Sequence, residues 1–104
     1  MTRPAVLTRR ARAELREALR WIADDSLEAA RDLNNAVEAA TRRIGANPLI
    51  GAHRLVLAGE RYRFWSVPRH SYILVYDPAP VPPQILRMLH MARDLGPLLT
   101  DLRD

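Results

Sequence analysis

Apolar residues recur along this 104-residue chain with two different periods, and the change of period divides it into halves. From Arg9 to Ala23, Ala11, Leu15, Ala18, Leu19 and Ile22 follow one another at three- and four-residue steps. That spacing predicts an amphipathic helix, with Glu14, Arg16, Glu17 and Arg20 mostly on its other side. Thr8 stands before it as an N-cap, and Ala5-Val6-Leu7 predicts a short first strand. Asp24-Asp25 break the pattern. Ser26 caps a second helix, and Glu28 suits the positive end of that helix. Ala30, Leu33, Val37, Ala40 and Ile44 form its stripe, and Gly45, Asn47 and Pro48 end it. The short link predicts an antiparallel helical hairpin, packed closely through its many alanines.

After a turn-rich connector from Pro48 to Gly59 the period falls to two. Tyr62, Phe64 and Ser66 alternate with Arg63, Trp65 and Val67, and Pro68-Arg69-His70-Ser71 turns the chain. Tyr72 to Tyr76 is apolar on both faces, as a covered central strand requires. Asp77 to Pro83 is too rich in proline to join a ladder and is a stiff loop. Alternation resumes from Gln84 to Met91 as a last strand. Asp94 is placed to cap a short helix through Leu102, with Pro97 in its first turn. The expected class is α+β in one domain, residues 1–104. An N-terminal strand leads into a helical hairpin packed on a small, mostly antiparallel, twisted sheet, and a short C-terminal helix follows.

The chain has 48% hydrophobic and 27% charged residues, an ordinary globular balance. No apolar run approaches the ~20 residues that span a bilayer, and the first residues lack the apolar core of a signal peptide. With no cysteine, disulfides, thiol nucleophiles and Cys-based zinc sites are excluded; the cytoplasm is the expected compartment. All 16 basic residues are arginine. No lysine can therefore serve as a general base, and guanidinium does not deprotonate in this range. Net charge is +4, and residues 51–93 are the most one-signed part, with six arginines against Glu60 and Asp77. Such a surface suits nucleic acid or an acidic protein.

The candidate chemistry gathers on the strands. Metal-free RNA cleavage needs a base for the 2′-hydroxyl, a cation for the phosphorane and an acid for the leaving oxygen. Glu60, Arg61, Arg63, Arg87 and His90 could fill those roles. Alternation weakens the set: it places Arg87 with Ile85 and Leu89, and His90 on the opposite face with Leu86 and Met88. Arg61 and Arg63 are expected on one face. Each of these residues also has a plain structural role open to it, as an ion pair, a solvated cation or a hydrogen-bonded strand histidine. Trp21 lies beside the main stripe of the first helix. Its first expectation is a core aromatic at the helix–sheet junction, and the alternative is a groove for a partner's helix or strand. The candidate partner contacts are Trp21, Arg61, Arg63, Trp65, Arg87 and Arg93. No metal spacing or phosphate-binding glycine loop is present, so no cofactor is expected.

Taken in order, these segments resemble the ParE toxins of the RelE/ParE superfamily, the toxin halves of type II toxin–antitoxin modules. The likeness runs from Val6–Leu15 through Asn47–Gly51, Gly59–Arg63 and Tyr72–Tyr76 to Leu89–Leu95. It implies a cytoplasmic toxin held by a ParD-like antitoxin whose C-terminal segment wraps it, with promoter DNA reached only through the antitoxin. It also implies inhibition of DNA gyrase by binding, without catalysis. RelE-like relatives cut mRNA on the ribosome and typically carry basic residues on the sheet, sometimes lysines, and a tyrosine or a His–Tyr pair at the end of the last strand. Here His90 is followed by Met91 and Ala92, and no tyrosine follows Tyr76. A RelE-like endoribonuclease, or a degenerate toxin kept only as a binding module, are the alternatives.

Overall fold

The structure is a computed structural model, and it describes residues 2–103, so the outermost residues of the expected domain, Met1 and Asp104, lie outside it. The chain runs β1 (Val6–Leu7), α1 (Arg9–Ala23), α2 (Leu27–Ala46), β2 (Arg63–Ser66), β3 (Tyr72–Asp77), β4 (Gln84–His90) and α3 (Leu95–Leu98), then a 3-10 turn at Thr100–Leu102.

Both long helices begin where the capping residues predict. The Thr8 hydroxyl accepts the Ala11 amide at 3.3 Å, and that of Ser26 accepts the Ala29 amide at 3.1 Å. The Thr8 hydroxyl also donates to the Leu86 carbonyl at 3.3 Å, which pins the start of α1 to β4. Gly45 does not end α2, which continues to Ala46. A Cβ at Gly45 would collide with the Arg3 carbonyl, so glycine is needed where the N-terminal segment crosses the helix.

The four strands form one sheet in the order β1-β4-β3-β2. β1 pairs parallel to β4, and the other pairs are antiparallel. Helices α1 and α2 cover the front, where Ala11, Leu33, Val37 and Ile44 pack on Leu74, Tyr76, Ile85 and Met88. The back holds a second core, in which Ile73, Val75, Phe64 and Leu89 meet Ala58 of the connector and Leu99 and Leu102 of the C-terminal segment. The double apolarity of β3 thus has its cause: its two faces serve two cores.

Strict alternation fails in β4. Val75 pairs with Arg87 but Tyr76 pairs with Ile85, so Leu86 is an extra residue in a bulge. Ile85 and Met88, three apart, therefore share the front face, and Ile85 does not share one with Leu89. The C-terminal helix also differs from expectation. It lasts four residues before the 3-10 turn, and Asp94 makes no side-chain cap bond. An N-cap bonds the second or third helical amide, and the third position is Pro97, which has none.

Candidate partner-binding surface

At one end of the sheet the polar residues are occupied by the fold itself. The Tyr76 hydroxyl is buried; it donates to the Pro48 carbonyl at 2.6 Å and accepts the Gly51 amide at 2.9 Å. Burial pushes its pKa up, with the Gly51 amide and the Arg63 charge pulling the other way. Beside it Arg63 donates from Nη1 to the carbonyls of Gly51 at 2.7 Å and Leu49 at 3.1 Å. Together they fasten the connector to the sheet. Arg61 precedes β2 in a turn, so it does not share a strand face with Arg63; its Nε meets the buried Asp77 carboxylate at 2.7 Å. The hydrogen bond and charge of Asp77 raise the Arg61 pKa further. Glu60 is exposed. Trp65 is half-buried against the helices under Arg43, whose guanidinium carbon lies 5.5 Å from the ring centroid, and its buried Nε1 has no partner.

Arg87 is also withdrawn from the surface, at 4% exposed. Its guanidinium reaches round the edge of β4. Nη2 donates to Glu14 of α1 at 2.8 Å and Nε to the same carboxylate at 3.1 Å, while Nη1 donates to the Leu98 carbonyl at 2.5 Å. Glu14 in addition accepts the Met88 amide at 3.0 Å. Arg87 therefore fastens α1, β4 and α3 together, and it cannot reach a partner without dismantling them.

The opposite end is open. β1 covers β4 only at Gln84 and Ile85, so beyond the bulge the outer edge of β4 has no strand beside it. Glu14 takes the Met88 amide there, and Trp21 stands next to it on α1, 77% exposed. The expectation of a core aromatic is corrected. Trp21 falls more than a quarter-turn from the centre of the buried stripe, too far round the helix to be buried between helix and sheet. Glu14, Glu17, Ala18, Trp21, Tyr72, His90 and Arg93 line a single groove. His90 and Tyr72 pair across the strands, edge to face at 5.0 Å. His90 Nδ1 accepts the Ala92 amide at 3.1 Å, which leaves the Nε2 position for the proton of the neutral ring.

Three of the predicted residues, Trp21, His90 and Arg93, thus meet in one groove, while Glu60, Arg61 and Arg63 lie elsewhere. Arg63 pairs with Tyr76 and His90 with Tyr72, which separates them by about 13 Å along β3 alone. That is several times the reach of a shared acid–base site. Sequence reasoning missed Glu14 and Tyr72. Glu14, Ala18 and Trp21 do form a second row at four- and three-residue steps, which was the available signal. Among the described residues no cluster could hold a metal ion, and no helix is long and apolar enough to cross a membrane.

Fold and groove together define a small α+β module with an open groove at one edge of its sheet. Residues 5–95 match the family described as the ParE toxin of type II toxin–antitoxin system, parDE, and the chain belongs to that family. The structure is similar to a solved chain from the chromosomal ParDE toxin–antitoxin system of P. aeruginosa, with a TM-score of 0.68, 18% identity and coverage of 84% of this chain and 94% of that one. At that identity the likeness speaks for the fold. No curated protein matches the sequence significantly.

Proposed function

We propose that this toxin acts in the cytoplasm by occupying a protein target, DNA gyrase, without catalysis, and that a ParD-like antitoxin neutralises it and carries it to promoter DNA. The observation that supports this most is the dispersal of the acid–base candidates. Arg61, Arg63 and Arg87 are bound to the fold, and His90 stands at the far end of the sheet from Glu60. The groove at the β4 edge offers a different kind of surface. An exposed tryptophan, a half-buried histidine, Arg93 and an uncovered strand edge suit a segment that adds apolar and main-chain contacts.

Purified toxin added to gyrase is expected to block supercoiling or trap cleaved DNA, and to leave ribosome-bound mRNA intact. Site-specific mRNA cuts with gyrase unaffected would overturn the reading in favour of the endoribonuclease. Normal growth on induction of the toxin alone would favour the degenerate binding module. His90→Gln and Glu60→Gln are expected to remain toxic, since the two residues stand at opposite ends of the sheet and cannot act as one acid–base pair.

A further inference from the structure

Helix α1 carries a second surface that the groove does not use. At about 100° per residue, Arg9, Arg12, Arg16 and Arg20 fall within an arc of about 80°. All four are exposed, and none forms an ion pair among the described residues. The remaining charges of α1 lie elsewhere: Arg10 faces Asp101 at 3.5 Å, and Glu14 is bound to Arg87. Glu17 lines the β4 groove with Trp21. From α2, Glu38 shares a shallow groove with Arg12, and Arg31 shares one with Arg20. One acid, Glu38, and two further cations, Arg3 and Arg31, therefore flank the row.

The start of α1 is electrostatically uncompensated as well. Its first turn has no acidic residue and opens on Arg9 and Arg10, at the end where the helix dipole is already positive. The first turn of α2, in contrast, carries Glu28. Among the described residues Glu38, from α2, and Glu17, on the groove side of α1, stand near this concentration of positive charge, and neither pairs with it.

We infer that the Arg9–Arg12–Arg16–Arg20 row is a contact for the phosphate backbone of duplex DNA. The row is about 16 Å long, over which one DNA strand presents about five phosphates. Between the arginines the exposed surface is Ala13 and Ala23, with Leu19 half-buried at the margin. A protein interface would be expected to centre on a large apolar anchor, whereas a phosphate contact needs only positioned cations. The contact is independent of sequence, so it complements promoter recognition by the antitoxin. Trp21 lies on the β4 side of α1 and the row on the α2 side, so DNA and a protein in the groove can be held together. The inference does not depend on gyrase being the target.

The test measures binding of the purified toxin to a random-sequence duplex of 24 base pairs by fluorescence anisotropy, from low to physiological salt. Arg16→Gln/Arg20→Gln should reduce the slope of log affinity against log salt by about 2, and the fourfold Gln variant by about 3.6. Arg54→Gln/Arg103→Gln, a pair with the same change in net charge placed outside α1, should leave the slope unchanged. Circular dichroism checks that each variant is folded. Equal slopes for the two pairs, or a fourfold variant that binds like the parent, would overturn the inference. So would a fourfold variant that loses affinity for the antitoxin alone, which would make the row a protein contact.

Discussion

The two ends of the sheet carry similar side chains in opposite circumstances. Where β2 meets β3, two arginines, a tyrosine and an aspartate are engaged with one another and with main-chain groups of the connector. Where β4 runs out past β1, a tryptophan, a tyrosine, a histidine and an arginine line a groove that the fold leaves open. The first set looks more chemical in the sequence, yet the hydrogen bonds it makes hold the connector and the buried Asp77. The second adds an exposed tryptophan and an uncovered strand edge, which suit a binding partner. What separates them is whether each polar group already has a partner, since buried groups must be satisfied internally before they can serve anything else.

Breaking the ion pair that bounds the open end should have the largest effect. Glu14→Gln leaves the Arg87 guanidinium buried without its carboxylate, a loss of about 3–5 kcal/mol in chemical denaturation. Replacing both partners, as in Glu14→Leu/Arg87→Met, should recover most of that loss, because the uncompensated charge goes with the pair. Gly45→Ala should cost about 1–3 kcal/mol by forcing the N-terminal segment off α2.

At the closed end, Tyr76→Phe should cost about 1–3 kcal/mol by orphaning the Gly51 amide and the Pro48 carbonyl. Its pH dependence has a definite sign. Burial raises the pKa of Tyr76 above its ordinary value of 10.0, so above that pH the unfolded chain ionises while the folded hydroxyl keeps its proton. The contribution is therefore complete below pH 10 and declines as pH rises through the folded pKa. Tyr72, also raised by burial, acts in the same direction. Unfolding followed from neutral to alkaline pH should show that decline, and it should be smaller in Tyr76→Phe.

The smallest effect on stability is expected at the residue with the largest effect on binding. Trp21→Ala should change stability by less than about 0.5 kcal/mol, as an exposed position away from the core. It should weaken the protein partner by at least about 2 kcal/mol, the loss typical of an interface anchor. A Trp21→Ala toxin with undiminished affinity for antitoxin and gyrase would remove the groove from the account.

Much of the fold was legible because periodicity and capping report local physics. The α1 stripe, Thr8 and Ser26 define helix starts that the structure reproduces. The bulge at Leu86 was not legible, since it is fixed by how β4 pairs with β3 and leaves no mark on the apolar pattern. The roles of Arg63 and Arg87 were hidden for a related reason. Their partners, the Gly51 carbonyl and Glu14, are 12 and 73 residues away, and only the tertiary fold brings them near. Trp21 was misplaced because a large aromatic beside a stripe reads as core, whereas the helix leaves it outside.

The central claim is that this ParE toxin works by occupancy, and titration of gyrase supercoiling against toxin concentration tests it most directly. The account predicts inhibition that rises in proportion to the toxin-to-gyrase ratio and saturates. It also predicts that inhibition is lost in Trp21→Ala and retained in His90→Gln and Glu60→Gln. Inhibition of growth that leaves gyrase untouched at any ratio, together with mRNA cleavage abolished by His90→Gln, would contradict it.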